Sequence, residues 1–403
     1  FLPTKKYSEW KTLEGEWVEP HKFGSIQDAR DFIKQYKEVP DFEIHGNSRF
    51  LYQYIAEKHP EFIKFDSTKI RVFNIDIETA AENGFPDVES ADQEILAISI
   101  KDSFSGRITV FGARAYDNND PLVDYMHFRS EESMLGAFLD FWQTNYPDVI
   151  TGWNVQLFDM PYIHNRINRI MGEKFTKLLS PWKLVSQREI FIKGRKQFAI
   201  DTLGISCLDY LELYKKFTYT NQESYRLDHI CNVELGEKKL DHSEYDTFKE
   251  FYENDWQKFI DYNIHDVRLV DKLDDKMKLI DLAYTMAYDA KVNYEDVFSQ
   301  VRMWDNYIYN ELNKRKIAIP PKKESATKTE KYAGAYVKEP IPGFYDWVVS
   351  FDLNSLYPHL IMQYNISPET LQDTRHSTAT VDKILEKQIE IDGEFAVCAN
   401  GAQ

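Results

Sequence analysis

The stretch Arg71-Val-Phe-Asn-Ile-Asp-Ile-Glu-Thr79 decides our interpretation of the fold. Apolar and polar residues alternate along it, which predicts a β-strand with one face in a hydrophobic core. The same alternation places Asp76 and Glu78 together on the opposite face. Two neighbouring carboxylates repel each other unless a cation lies between them or one is protonated, so the pair is a candidate metal site. Acidic residues two positions apart arise roughly ten times by chance in such a chain, so this pair needs further support.

Similar β-prone runs follow and alternate with amphipathic segments. The sequence predicts strands over 71–79, 94–101, 107–111 and 148–152, and helices over 26–36, 50–59, 131–145, 161–172 and, as one or two helices, 248–290. Two runs within 187–200 predict a β-hairpin whose turn, 193–196, carries three cations. A stretch rich in Pro, Lys and Thr at 320–331 predicts a linker, and an apolar run at 347–353 predicts another strand. This alternation of strands and helices indicates an α/β fold.

Composition limits the class of protein. The 403 residues are 43% hydrophobic, enough for two or three domains with their own cores. A net charge of −17 lowers the expectation of a polyanionic partner without excluding one, because a net value hides local charge. Three widely spaced cysteines favour a reducing, intracellular setting, and no apolar run reaches the roughly 18 residues of a membrane span. The chain begins with Phe1, so we expect the natural N-terminus to lie upstream.

Two further motifs contain candidate catalytic residues. In the first, Asn154 precedes Asp159 by five positions, where a predicted strand turns into a helix. Asp159 alone could equally be an ordinary helix cap. In the second, Tyr262 and Asp266 lie one helical turn apart, so a phenol and a carboxylate could face the same centre. Such a pair is also common on helix surfaces that have no catalytic role.

Together the three motifs, D-x-E, N-x3-F-D and Y-x3-D, resemble those of the DnaQ-like exonucleases. The resemblance implies a ribonuclease H-like domain in which Asp76, Glu78, Asp159 and Asp266 hold two divalent metal ions. Tyr262 would orient the attacking water. Oxygen ligands favour Mg²⁺, with Mn²⁺ as a substitute, over zinc.

A second resemblance lies near the end of the chain. The stretch Ser350-Phe-Asp-Leu-Asn-Ser-Leu-Tyr-Pro358 is similar to the first palm motif, D-x-x-S-L-Y-P, of the family B DNA polymerases. The stretches 208–217, 334–340 and 364–370 resemble, in particular, the replicative polymerases of T-even bacteriophages. A buried strand ending in a turn could give the palm motif alone, but not this ordered series of matches.

The polymerase resemblance implies roles for further residues. The carboxylate of Asp352 and the carbonyl of Leu353 would bind a polymerase metal ion. The incoming deoxynucleoside triphosphate would contact Ser355, Leu356 and Tyr357. The DNA-binding set that the resemblance implies consists of Phe85, which would stack on the frayed 3′ end, together with Asn154, Lys239, Lys193 and Arg195.

The same resemblance implies a domain order. We expect an N-terminal α+β domain formed by 1–69 and 279–324, an exonuclease domain at 70–278 inserted into it, and the start of a polymerase palm at 325–403. The fingers motif K-x3-N-x-x-Y-G and the palm motif D-T-D do not occur in the 403 residues. We therefore expect a fragment of a polymerase, or one piece of a split one, whose complete activity is 3′–5′ exonuclease.

A stand-alone 3′–5′ exonuclease acting on single-stranded DNA or RNA is the alternative, although it would have no reason to carry the palm motif. The polymerase interpretation implies primer–template DNA, a sliding clamp and a single-strand-binding protein as partners, and no membrane. It also implies the cytoplasm of an infected bacterial host as the location.

Overall fold

The computed structural model describes residues 1–320 except 38, 40, 41, 83, 193 and 194, and residues 337–370 except 364, 368 and 369. The chain divides into two compact units, Phe1–Glu324 and Ser325–Gln403, and each is described by itself. The strands are β1 (Leu2–Pro3), β2 (Trp10–Lys11), β3 (Trp17–Glu19), β4 (Val72–Thr79), β5 (Ile95–Asp102), β6 (Ile108–Gly112), β7 (Val123–His127), β8 (Val149–Thr151), β9 (Val185–Ile192), β10 (Arg195–Thr202) and β11 (Ser206–Cys207). The helices are α1 (Ile26–Tyr36), α2 (Phe50–Lys58), α3 (Glu131–Thr144), α4 (Asp159–Met171), α5 (Glu173–Thr176), α6 (Tyr210–Phe217), α7 (Leu227–Leu235), α8 (Phe248–Asn254), α9 (Trp256–Met277), α10 (Leu279–Ala290), α11 (Gln300–Lys314) and α12 (Leu356–Gln363).

A mixed six-stranded sheet organises the first unit, in the order β11-β8-β4-β5-β6-β7. Strand β4 lies near its middle, antiparallel to β5 and parallel to β8. In the β4–β5 register Asp76 lies opposite Ser99, and the register shifts between Glu78 and Thr79. A central strand has hydrogen-bonded neighbours on both sides, so the carboxylates of β4 are attached to the stiffest part of the sheet.

Both faces of this sheet are covered by helices. One face packs against α3 and α4, in a core that contains Phe73, Ile75 and Trp142. The other face packs against α8 and α9, in a core that contains Phe251 and Phe259. Because β4 is covered on both faces, the side chains of its polar face lie under α9 rather than in open solvent.

The N-terminal segment contacts the segment that follows α10. Strands β1, β3 and β2 form a small antiparallel sheet, and Lys11 pairs with Ile317 in an isolated bridge. The hydroxyl of Tyr52 donates a hydrogen bond to the buried carboxylate of Asp296. Tyr52 also belongs to a core cluster with Met303 that extends into the helices beside the six-stranded sheet. These contacts connect the two segments, while the domain limits at 69 and 279 stay a prediction.

Most predicted elements form where expected. The helix predicted at 26–36 begins after Ser25, whose side chain accepts a hydrogen bond from the backbone N–H of Asp28, as an N-cap does. The segment 248–290 forms three helices rather than one or two. Asp255 caps the start of α9, and Lys278 takes a left-handed conformation with φ of 55°, which ends α9 before α10 begins. A pattern of apolar residues continues across such breaks, so it does not reveal them.

The predicted hairpin was wrong in the extent of its turn. The hairpin forms, but Ile192 pairs with Arg195, so Arg195 and Lys196 belong to strand β10 and not to the turn. The Lys196 ammonium lies 2.7 Å from Glu189, a cross-strand contact that favours the longer ladder. Residues 193 and 194, and all of the predicted linker after 320, lie outside the described residues.

In the second unit, the described residues 337–370 contain helix α12 and no strand. The strand predicted at 347–353 is therefore wrong for this structure. The side chains of Trp347, Phe351 and Leu353 are exposed, and no described backbone pairs with theirs. An apolar run forms a strand only when a neighbouring chain completes its hydrogen bonds. Across both units, none of the described helices is long and apolar enough to cross a membrane.

Candidate active site

Three carboxylates meet where β4 faces α9. Asp76 and Glu78 come from alternate positions of the strand, and Asp266 comes from the helix. One oxygen from each of the three lies within 4.8 Å of the others. The strand–helix packing therefore brings together residues that are almost two hundred positions apart in the sequence.

Asp159, the fourth predicted ligand, lies beside this group of three. It is the first residue of α4 and is 3% exposed. Its Oδ1 accepts a hydrogen bond of 3.0 Å from the backbone N–H of Ile77, the residue between Asp76 and Glu78. The side chain is therefore not the helix cap, since the N-cap position belongs to Phe158; it fixes the start of α4 to the strand that carries two of the carboxylates.

Burial and mutual repulsion make these carboxylates hard to ionise. Burial raises the pKa of Glu78 to about 8, with the charge of Asp266 as the next cause. Burial likewise raises the pKa of Asp159 to about 7. The pKa of Asp76 is raised well above its ordinary value, by burial first and then by the charges of Asp266 and Asp159. A cation among them would reverse this repulsion, which is the electrostatic signature of a metal site.

Lys239 approaches the same centre from the segment between α7 and α8. Its ammonium donates hydrogen bonds to Asp266 Oδ2 and, at 3.0 Å, to the hydroxyl of Tyr262. Burial opposes the charge of Lys239, but Asp266 and Tyr262 outweigh that effect and raise its pKa. The other oxygen of Asp266, Oδ1, is buried without a hydrogen-bond partner among the described residues. This oxygen is available to a divalent ion, so the donor set fits the metal that the sequence predicts.

Asn263 and Ser99 add a contact to Asp76 that the motif comparison did not single out. The amide of Asn263 donates a hydrogen bond of 2.6 Å to Asp76 Oδ2. The hydroxyl of Ser99 donates one of 2.5 Å to the amide oxygen of Asn263. Both side chains are completely buried. The β4–β5 register places Ser99 opposite Asp76, and the packing of α9 brings Asn263 to both.

The loop that carries Asn154 is held by a buried carboxylate. Asp209 is 1% exposed, and its side chain accepts hydrogen bonds from the backbone N–H groups of Asn154, Gln156 and Leu211 at 3.2, 2.9 and 2.9 Å. Burial raises the pKa of Asp209 to about 6 although these hydrogen bonds oppose the rise. Gly152 precedes the loop, where an added Cβ would lie 2.5 Å from the Ile75 carbonyl oxygen. The sequence analysis missed Asp209, because nothing near it in the chain indicates its partners.

Phe85 lies beside the residue before α4, and Asn154 lies in the loop that Asp209 holds. The Phe85 ring is 85% exposed, and its centroid lies 5.7 Å from that of Phe158, the residue before Asp159. Asn154 is half-buried and takes a positive φ of 67°. An exposed ring beside the residue that precedes Asp159 is a surface on which a base could stack.

The remaining predicted residues are not brought into this site by the described contacts. Lys193 and the side chain of Arg195 lie outside the described part of the chain. Asp352 and Leu353 are exposed in the second unit, just before α12. Ser355 has a positive φ of 54°, and Leu356 and Tyr357 begin the helix with their side chains exposed. Their predicted roles in metal and nucleotide binding are therefore untested.

Two family models match the chain. Residues 37–230 match the exonuclease domain of DNA polymerase family B, and residues 299–400 match DNA polymerase family B. The two matches follow the order of the sequence motifs and together cover most of the chain. The chain belongs to the family B DNA polymerases.

The most similar relatives found include two phage proteins. The chain is 37% identical over 398 residues to a DNA-directed DNA polymerase of Escherichia phage RB69, covering 92% of this chain and 43% of that protein. It is 35% identical over 404 residues to a DNA-directed DNA polymerase of Enterobacteria phage T4, with coverage of 92% and 44%. A DNA polymerase delta catalytic subunit of Schizosaccharomyces pombe is 26% identical, with coverage of 82% and 31%. The chain thus spans less than half the length of the phage proteins that it matches.

Proposed function

We propose that this chain carries the 3′–5′ proofreading exonuclease of a phage-type family B DNA polymerase, on a ribonuclease H-like, DnaQ-like fold. The observation that carries the proposal is the buried group of Asp76, Glu78 and Asp266, whose oxygens approach within 4.8 Å. Mg²⁺, or Mn²⁺ in its place, is the proposed cofactor, with two ions shared among these residues and Asp159. When bound, such ions activate a water for attack and stabilise the leaving 3′ oxygen.

The residues around the carboxylates have separate tasks in this proposal. Tyr262 accepts a hydrogen bond from Lys239, which leaves its own O–H free to donate to the attacking water. The Lys239 ammonium, held between Tyr262 and Asp266, adds a fixed positive charge near the place of the scissile phosphate. Phe85 stacks on the terminal base, and Asn154 contacts the strand from the loop that Asp209 holds.

The match at 299–400 supports a wider proposal for the whole protein. In it, Asp352 and Leu353 bind a polymerase metal ion, and Ser355, Leu356 and Tyr357 bind a deoxynucleoside triphosphate. Lys193 and Arg195 help to separate primer from template. The protein would work in the cytoplasm of an infected host with a sliding clamp and a single-strand-binding protein. Residues 1–69 and 279–324 would form one N-terminal domain, with the palm beginning near 325.

The exonuclease proposal can be tested with a single-stranded DNA oligonucleotide labelled at its 5′ end. We expect a ladder of products shortened from the 3′ end with Mg²⁺ or Mn²⁺. No products should form with EDTA, which removes the metal, or with Ca²⁺, because Ca²⁺ has a looser coordination geometry. Asp76→Ala removes one carboxylate of the group and should lower the rate by about three orders of magnitude or more. Asp140→Ala, at an exposed position of α3, is the matched control and should keep the wild-type rate.

Two outcomes would contradict the proposal. Activity of Asp76→Ala within tenfold of the wild type would show that the carboxylate group is not the metal site. Equal cleavage of an RNA oligonucleotide of the same sequence would favour the alternative of a general exonuclease over a DNA proofreading domain.

A further inference from the structure

Asn263 joins two residues that already face each other across the sheet. Ser99 lies directly opposite Asp76 in the β4–β5 register, and both side chains point towards α9. From the helix, Asn263 accepts a hydrogen bond from Ser99 and donates one to Asp76. Two hydrogen bonds thus link three side chains in a row and join the helix to both strands at the candidate metal site.

The direction of the hydrogen bonds in this connection follows from chemistry. A bound cation would keep Asp76 ionised, and an ionised carboxylate can only accept hydrogen bonds, so the NH₂ group of Asn263 faces it. The Ser99 hydroxyl then has the amide oxygen as its acceptor, at 2.5 Å. Asn263 and Ser99 are both 0% exposed, so water does not compete for these bonds. The serine therefore fixes which end of the amide meets the carboxylate.

The neutral charge of the amide also matters. Asp266 is held by the ammonium of Lys239, a positive charge that competes with a cation for that carboxylate. Asn263 holds Asp76 without adding charge, which leaves the negative charge of Asp76 available to a divalent ion. An uncharged donor on a ligand carboxylate restricts its orientation, and removing such donors commonly lowers metal affinity by about 10–100-fold.

From this geometry we propose that Asn263 is a positioning residue for divalent-cation binding, which holds the Asp76 carboxylate in place while Ser99 holds Asn263. The inference rests on the proposed metal site and adds residues outside the acidic set. Its function is to reduce the freedom of one ligand before the cation arrives, so that less entropy is lost on binding.

A double-mutant cycle of Ser99 and Asn263, with metal affinity as the measured quantity, tests this inference. Mn²⁺ binding to the 403-residue protein is titrated by electron paramagnetic resonance of the free ion, so that the readout does not depend on cleavage. Asn263→Leu keeps the size of the side chain and should weaken Mn²⁺ binding by about tenfold or more. Ser99→Ala should weaken it several-fold in the wild type, but have no further effect in the Asn263→Leu background.

Asn306→Leu is the matched control, because Asn306 is also a buried helical asparagine, 2% exposed, whose amide donates to the Arg302 carbonyl instead. It should leave Mn²⁺ affinity within about twofold of the wild type.

If Asn263→Leu does not fold, Ser99→Ala alone tests the inference, and its thermal unfolding is measured together with its Mn²⁺ affinity. Unchanged Mn²⁺ affinity with a lowered midpoint would make the contact purely structural and overturn the inference, as would equal effects of Ser99→Ala in both backgrounds. A wild type that binds no Mn²⁺ would instead refute the proposed metal site.

Discussion

Asp159 Oδ1 lies 3.0 Å from the backbone nitrogen of Ile77, on the residue that separates Asp76 from Glu78. This hydrogen bond connects the first turn of α4 to the middle of β4. It explains how the second motif reaches the first, although three strands, a helix and β8 separate them along the chain.

The raised pKa of Glu78 predicts an unusual pH dependence of stability. In the metal-free folded protein the Glu78 pKa is about 8, against an ordinary value of 4.5. Between these values the folded state holds a proton that the unfolded state releases, so this group's contribution to the free energy of unfolding falls as pH rises. Glu78→Gln removes the titration. Urea unfolding in EDTA should therefore show the variant gaining stability over the wild type between pH 5 and 8, and a difference independent of pH would contradict the prediction.

Phe85→Ala should weaken binding of the 3′ end of single-stranded DNA. Stacking on an aromatic ring contributes roughly 1–3 kcal/mol per base, which corresponds to about 5- to 150-fold in affinity. We expect KM for single-stranded DNA to rise within that range while kcat changes less, since Phe85 does not touch the carboxylates. Phe62→Ala replaces another exposed phenylalanine, 76% exposed and outside the three motifs, and should leave KM unchanged. A loss confined to kcat would assign Phe85 a different role.

Tyr262→Phe should separate catalysis from metal binding. The variant keeps the ring beneath Lys239, whose ammonium lies 4.9 Å from the ring centroid, and removes the hydroxyl alone. Loss of one hydrogen bond to the attacking water should lower kcat by about tenfold. Mn²⁺ affinity, measured directly, should stay near that of the wild type. Equal losses of both quantities would indicate that the hydroxyl serves the metal site and not the water.

Asp209→Ala should destabilise the protein and loosen the Asn154 loop. The substitution leaves three backbone N–H groups without their acceptor. A buried unsatisfied donor costs about 1–3 kcal/mol, so the free energy of unfolding should fall by at least that amount. Hydrogen exchange should speed up at Asn154 and Gln156 and remain unchanged in β5. Uniform acceleration throughout the sheet would mean that Asp209 supports the whole fold and not this loop.

Several strands and helices were predictable because their sequence patterns are local. The alternation in 71–79 gives β4, and the N-cap serine with its apolar spacing gives α1. Strand β7 was missed, since Val123–His127 is mostly polar or half-exposed and owes its conformation to pairing with β6. The same limit applies to 347–353, where an apolar run without a described partner forms no strand.

The residues of the site that belong to recognisable motifs were predictable from the sequence. Asp76, Glu78 and Asp266 were proposed from their motifs and do meet. The residues that hold them were not found, because Asn263, Ser99 and Asp209 act through contacts between elements distant in sequence. An asparagine inside a helix carries no signal of its own, and only the packed structure shows what its amide faces.

Asp76 and Asn263 are 187 positions apart, and this separation determines how long after Asp76 the ribosome synthesises Asn263. A ribosome adding roughly 5–20 residues per second needs about 10–40 s to go from one to the other. During that interval β4 has been synthesised, but α9, which covers its acidic face, has not. A nascent chain therefore completes the candidate metal site late, when α9 brings Asp266 to β4. Before that moment the acidic face of β4 is uncovered, so the docking of α9 is the event on which the proposed activity depends.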